Sequence, residues 1–132
     1  MTVENSHPVI AIIGVCASGK STIIQRLSQE GIICRHVAQE HSYVKDMWQR
    51  LTHPDYLICL EVSYPSTLIR KKLNWTLQEY VEQLHRTQHA REHADLTIDT
   101  DQHNVDEIVE LIKQGLISAG LVTPAIGGNE AG

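Results

Sequence analysis

The sequence contains no phenylalanine, and aromatic residues make up only 5% of its 132 residues. No apolar run approaches the ~20 residues that a membrane-spanning helix needs. The first residues also lack the charged region and apolar core of a signal peptide. We therefore expect a cytoplasmic protein with no membrane partner. The net charge of −5 provides no basic surface for nucleic acid, so we expect no nucleic-acid partner either.

Cysteine is also scarce, and its three occurrences show no CxxC spacing. Cys16, Cys34 and Cys59 each lie within or beside an apolar segment, which favours reduced, mostly buried thiols over a disulfide framework. The composition, 42% apolar and 20% charged, is typical of a globular protein. At this length we expect one domain over residues 1–120 and a disordered tail over residues 121–132.

The most informative stretch is rich in glycine. Residues 9–13 form an apolar run, and Gly14, Gly19, Lys20 and Ser21 follow in the spacing GxxxxGKS, the P-loop pattern. In such a loop the backbone N–H groups and the positive end of the next helix together bind phosphate. Glycine lets the main chain approach the phosphates closely. The pattern predicts these nucleotide-binding residues: Gly14, Ala17, Ser18, Gly19, Lys20, Ser21 and Thr22.

The context of this glycine-rich loop (residues 14–21) agrees with the pattern. A strand-like run precedes it, and a helix with Ile23, Ile24 and Leu27 on one face follows. The motif therefore predicts a nucleoside triphosphate bound together with Mg²⁺, and it leaves ATP and GTP equally open. Lys20 would neutralise the β- and γ-phosphates, and the Ser21 hydroxyl would be the protein ligand of the metal.

Strand-like and helix-like segments alternate along the rest of the chain. Further strands are predicted over residues 32–37, 56–62 and 94–100. Helices are predicted over residues 43–51, 63–73 and 77–93 and after residue 104. This alternation indicates an α/β fold with a small parallel sheet and helices on both faces. In such sheets ligands bind beyond the carboxyl ends of the strands.

Three segments carry a resemblance to a known family: residues 14–22, residues 54–63 with the following helix that contains Arg70, and residues 86–100. With these segments placed, the chain resembles the small P-loop kinases, which include nucleoside and nucleotide kinases, shikimate kinase and gluconate kinase. The resemblance implies the three-layer P-loop NTPase fold with a helical lid at about residues 65–93. It also implies transfer of the γ-phosphoryl group of Mg·ATP to a small-molecule acceptor.

The resemblance also implies roles for individual residues. Lys20 would contact the transferring phosphoryl group, and Arg86 would be the lid arginine, with Arg91 as a second candidate. Residues 100–103 would lie near the adenine. Glu40, just after the second strand, is the candidate for the catalytic or metal-orienting carboxylate. The segment between the second strand and Asp55 is shorter than in these kinases, which leaves the acceptor site open.

Several charged residues allow two interpretations each. Glu40 is either a catalytic base or a solvated loop residue. Glu61 is either the acid of a motor-type ATPase or the end of a strand, and the strand end is favoured. Arg70 either faces phosphate or belongs to a solvated helix face.

Ring-bearing side chains are equally open to two interpretations. His85, His89 and His93 follow each other at four-residue spacing, so on one continuous helix they would share a face. That face would bind a metal ion or, as we expect, be a solvated, pH-sensitive surface. Trp48 would either anchor the core or line an acceptor pocket.

Three functions are compatible with these residues. The first is a P-loop kinase, and the second is a nucleotide-binding regulatory module that hydrolyses slowly or not at all. The third, an oligomeric motor ATPase, is disfavoured because no second acid follows Glu61. Acceptor-stimulated release of ADP would distinguish the kinase from the module.

Overall fold

A computed structural model describes residues 8–70 and 74–123. This part of the chain contains one parallel sheet in the order β2-β1-β3-β4. The strands are β1 (Ile10–Gly14), β2 (Cys34–His36), β3 (Tyr56–Glu61) and β4 (Leu96–Asp99). The fold is therefore α/β with a small parallel sheet, as the alternating pattern predicted.

Six α-helices of the described residues connect and cover the strands. They are α1 (Lys20–Ser28), α2 (Met47–Thr52), α3 (Tyr64–Arg70), α4 (Leu77–Arg86), α5 (Gln88–His93) and α6 (Val105–Ser118). A single 3₁₀ turn, Gln39–His41, follows β2. Within these ranges no helix has the length and apolar character to cross a membrane.

One face of the sheet packs against α1 and α6 through aliphatic side chains. Ile12, Ile58 and Leu60 of the central strands meet Ile112 and Leu116 of α6, and all five are nearly inaccessible to solvent. Burial of a large aliphatic side chain contributes roughly 1.5–3 kcal/mol. This apolar face therefore provides much of the stability of the domain.

The opposite face packs against α2 and α5. Ile13, Leu57 and Cys59 of the sheet form a cluster there with Trp48 of α2 and Ala90 of α5. Trp48 is 4% exposed, so it anchors the core. The core interpretation of Trp48 is confirmed.

The predicted helix over residues 77–93 is wrong in one respect, because it is broken into α4 and α5. Thr87 lies at the break, with φ −97° and ψ 0°, and its hydroxyl donates to the carbonyls of Gln83 and Leu84. The break turns α5 onto the sheet, where Ala90 is fully buried. Ala90, near the end of the predicted lid, thus belongs to the core.

Other boundaries also differ from prediction. The helix expected from residue 43 begins at Met47, and β2 has only three residues. The sequence pattern of a capping box, a cap residue followed three positions later by Glu, occurs twice and is present in the structure both times, as Thr76 with Glu79 on α4 and as Asn104 with Glu107 on α6.

Part of the predicted tail packs against the domain. Leu121 and Val122 are half-buried against the apolar cluster. Residues 1–7, 71–73 and 124–132 lie outside the described residues.

Candidate functional site

The glycine-rich loop joins the carboxyl end of β1 to the first turn of α1. Gly14 ends the strand, and a Cβ there would lie 2.6 Å from both the carbonyl oxygen of Leu60 and the Ser18 hydroxyl. Gly19 precedes the helix with φ 97°, a conformation that glycine adopts without strain. Both motif glycines are therefore required by the local geometry.

The amino end of α1 is open. Neither a capping side chain nor an acidic residue occupies its first turn. Within residues 8–70 and 74–123, no acceptor contacts the backbone N–H groups of Ala17, Gly19, Lys20, Ser21 or Thr22. These donors and the positive end of the helix dipole point to an anion.

Lys20 lies inside the loop and is 7% exposed. Its Nζ donates to the carbonyl oxygens of Gly14 (2.5 Å) and Val15 (3.2 Å), and it lies 3.2 Å from Oε2 of Glu40. The ammonium group thus uses its three donors on the protein itself. Glu40 is equally buried, and its Oε1 has no partner in the described part of the chain.

The position of Glu40 is fixed by its neighbour. The Gln39 side chain is 1% exposed and accepts from the backbone N–H of Trp48 at 2.8 Å. It donates to the carbonyl oxygens of Val44 and Arg86. Gln39 therefore ties the 3₁₀ turn to both α2 and α4, a role that no sequence pattern indicated.

The glycine-rich loop, the first turn of α1 and Glu40 line a cavity of about 290 Å³ at the carboxyl edge of the sheet. Burial and the charge of Lys20 lower the pKa of His36, at one wall of this cavity, from 6.5. The structure thus brings most of the predicted loop residues together with Glu40. The lining residues are Cys16, Ala17, Gly19, Lys20, Ser21, Thr22, His36 and Glu40.

Ser18, another predicted ligand-binding residue, lies beneath the loop. It is 2% exposed, and its hydroxyl has no hydrogen-bond partner among the described residues. Its backbone N–H donates to the carbonyl of Val15. The buried side chain of Ser18 and this backbone hydrogen bond therefore help to fix the conformation of the loop.

Arg86, the predicted lid arginine, lies beside the 3₁₀ turn. Its guanidinium donates to Glu82 at 3.1 Å and to the backbone carbonyl of Glu40 at 3.5 Å, and it stacks on the ring of Tyr43. In this position it supports the segment that carries Glu40.

Two other side chains reach the loop instead. Arg70 of α3 donates to the carbonyl of Ala17 at 3.4 Å and to the side chain and carbonyl of Thr100. Gln83 of α4 accepts from the backbone N–H of Cys16 at 2.9 Å. The sequence analysis named Arg70 as a residue that could face phosphate. It gave no indication for Gln83, because a glutamine inside an amphipathic helix matches no motif.

A second cavity of about 330 Å³ meets the loop at Gly14 and Val15. It lies between α4, α5 and the carboxyl ends of β3 and β4. Its polar walls come from three carboxylates, one arginine and three hydroxyl groups: Glu61, Asp99, Asp101, Arg91, Ser63, Thr87 and Tyr80.

The three histidines do not share one helical face. The break at Thr87 separates His85 from the other two, and Nδ1 of His89 accepts from the Trp48 indole at 3.1 Å. The rings of His89 and His93 stack with centroids 4.4 Å apart. His89 therefore packs on Trp48 of α2 and is half-buried, whereas His85 and His93 are exposed, as expected for a solvated surface.

Two comparisons with known proteins were made, one against family models and one against curated proteins. No protein-family model matches the chain, and the search of curated proteins finds no match.

Proposed function

We propose that this chain is a P-loop phosphotransferase that binds Mg·ATP at residues 14–22 and transfers the γ-phosphoryl group to a small-molecule acceptor. The observation that carries the proposal is the open first turn of α1 beside the buried Lys20. Free N–H groups, a helix amino end and an ammonium group converge on one cavity. Phosphate oxygens are the ligand that satisfies all three.

The protein groups present also fit Mg²⁺. Ser21 is exposed on the first turn and lines the same cavity as Glu40. A hydroxyl and a carboxylate with a free oxygen are hard oxygen donors, which Mg²⁺ prefers. The bound metal would neutralise charge on the phosphates. Ser21 would hold it directly, and Glu40 would orient its waters.

Lys20 must change partners when a nucleotide binds. Its two carbonyl contacts and the Glu40 ion pair occupy all three donors. A phosphate group carries more negative charge than the Glu40 carboxylate, so a phosphate oxygen that takes the place of Glu40 keeps a charge-assisted hydrogen bond to Lys20. The exchange is therefore favourable, and it loosens Glu40 from Lys20.

The second cavity is the better place for the acceptor. It begins at Gly14 and Val15, where the loop starts, and Glu40 is not among its lining residues. Its carboxylates are hydrogen-bond acceptors for hydroxyl or amino groups, and Arg91 offers the one positive charge in its lining. We assign Glu61 or Asp99 as the base in this cavity and Arg91 as the cation nearest the acceptor.

One observation favours the alternative, a nucleotide-binding module without an acceptor. The Gln83 side chain already occupies the N–H group of Cys16, one of the loop donors. Nucleotide binding would then compete with the contact between α4 and the loop. Such competition couples occupancy to the position of α4 whether or not phosphoryl transfer follows.

The test combines binding with turnover. Thermal unfolding is measured with and without Mg·ATP or Mg·GTP for the wild type, Lys20→Ala, Ser21→Ala and the control Lys45→Ala, an exposed lysine. At a hundred times the Kd, a ligand stabilises the fold by about 2.7 kcal/mol. We expect an increase in Tm for the wild type and Lys45→Ala, and a smaller or absent increase for the other two.

Two outcomes would decide against the proposal. An unchanged wild-type Tm with either nucleotide would reject both the kinase and the module. An increase in Tm without ADP release stimulated by any acceptor from a panel of alcohols, amines and phosphorylated compounds would favour the module. Hydrolysis that rises steeply with protein concentration would instead revive the motor ATPase.

A further inference from the structure

Three side chains with metal-binding atoms converge at the mouth of the glycine-rich loop. The Sγ of Cys16, a carboxylate oxygen of Glu40 and a ring nitrogen of His41 all lie within 4.8 Å of one another. In residues 8–70 and 74–123 no other group of three such residues is this close. Cys16 comes from the loop and the other two from the 3₁₀ turn, so the fold brings them together.

The donor set selects the kind of metal. A thiolate, an imidazole and a carboxylate are typical ligands of Zn²⁺, whereas Mg²⁺ prefers oxygen alone. Zinc binds sulfur at about 2.3 Å and nitrogen or oxygen at about 2.0–2.2 Å, so tetrahedral ligand atoms lie roughly 3.5 Å apart. Side-chain movements of about 1 Å would close the present triangle around an ion.

An independent observation points to a ligand at the same place. Oε1 of Glu40 is buried without a hydrogen-bond partner, while Oε2 lies 3.2 Å from Lys20 and 3.7 Å from Nε2 of His41. A buried carboxylate oxygen without a partner is costly, and a cation removes that cost. His41 is exposed, which gives an ion a route from solvent and leaves a fourth position for water.

We propose that Cys16, Glu40 and His41 form a Zn²⁺ site that competes with the nucleotide. Cys16 and Glu40 also line the 290 Å³ cavity, so an ion held there occupies space needed by the phosphates. Zinc would also retain Glu40, which the exchange of Lys20 partners would otherwise release. The competition rests on the proposed function, but binding of the metal does not.

The other thiols would not interfere with metal binding. Burial raises the pKa of Cys34 to about 11, and burial together with the charge of Glu61 raises that of Cys59 to about 12. Both thiols are therefore protonated near neutral pH and closed to solvent. Cys16 is half-exposed, so a thiol reagent reports on this one site.

The first experiment titrates full-length protein with Zn²⁺ alone, in a non-thiol reductant, against a chromophoric zinc indicator. We expect one equivalent to bind to the wild type, and binding weakened about tenfold or more in Cys16→Ser and in His41→Ala. His85→Ala, an exposed histidine elsewhere, is the matched control and should bind as the wild type does. Because the His41 side chain is exposed, His41→Ala should fold normally.

A second readout follows the thiol itself. Bound Zn²⁺ should slow alkylation of Cys16 in the wild type and in His85→Ala, but not in His41→Ala. Equal zinc affinity in wild type and His41→Ala, or equal loss in His85→Ala, would overturn the site. Zinc binding that leaves the Kd for Mg·ATP unchanged would overturn the competition. A protein that binds Zn²⁺ but no nucleotide would reject the proposed function alone.

Discussion

Both faces of the sheet are covered by apolar side chains, but they differ in the polar groups that are buried around them. The face under α1 and α6 is held by aliphatic side chains such as Ile112 and Leu116. The elements over the face that packs against α2 and α5 bury polar groups, among them Gln39 and Thr87, and the side chains of both make hydrogen bonds to backbone carbonyls. Apolar packing tolerates replacement of a side chain by another of similar volume, whereas hydrogen bonds fix the orientation of the groups that they join. The buried hydrogen bonds on the side of α2 and α5 therefore position the site, and the aliphatic packing under α1 and α6 stabilises the fold.

Lys20 gives the sharpest test, because it serves both stability and binding in our proposal. Lys20→Met leaves Glu40 buried without its ion partner, which typically costs about 3–5 kcal/mol, and it should abolish nucleotide binding. The double variant Lys20→Met with Glu40→Gln removes both charges, so most of the stability should return while binding stays lost. Chemical denaturation and a fluorescent nucleotide titration measure the two effects.

A double variant that regains nucleotide binding would contradict the role of Lys20. A double variant as unstable as Lys20→Met would show that the ion pair is not the source of the loss.

A paired substitution compares the two faces directly. Ile112→Ala on the apolar face should cost about 2–5 kcal/mol of stability and leave the nucleotide Kd of the folded protein unchanged. Gln39→Leu unpairs the backbone groups of Trp48, Val44 and Arg86, at a cost of about 1–3 kcal/mol for each buried group left unsatisfied. It should also weaken nucleotide binding, because Glu40 is no longer held. A changed Kd in Ile112→Ala would remove the distinction between the faces.

Gln83 tests whether α4 restrains the loop. Gln83→Ala frees the N–H group of Cys16 for a phosphate oxygen. A hydrogen bond contributes about 0.5–1.5 kcal/mol, so the nucleotide Kd should fall by a factor of roughly 2 to 10. Gln88→Ala, an exposed glutamine on α5, is the control. Weaker binding in Gln83→Ala would mean that Gln83 supports the occupied loop.

His36 should give the smallest effect, a change in pH dependence. Its pKa is lowered by burial and by Lys20, so the folded protein binds the proton less readily than the unfolded chain does. Stability should therefore fall as the pH falls below about 6.5. His36→Gln should reduce that slope of Tm between about pH 7 and pH 5. The effect is small because the ring is only partly withdrawn from solvent, and an unchanged slope would contradict it.

Features encoded by neighbouring residues were predictable. The apolar run before Gly14, the helix after Gly19 and both capping boxes depend on short-range spacing, and all are present. The break at Thr87 was missed because helical periodicity continues across it. The contacts of Gln39, Gln83 and His89 were missed because their partners lie far away in sequence.

The sequence by itself determined the α/β class, the alternation of strands and helices that makes the sheet parallel, and the loop at the end of β1. These follow from patterns that a few consecutive residues carry. Only the tertiary structure decided that Glu40 pairs with Lys20, that Arg70 and Gln83 reach the loop, and that Cys16 meets His41. Such contacts join residues tens of positions apart, and their geometry depends on how the layers pack.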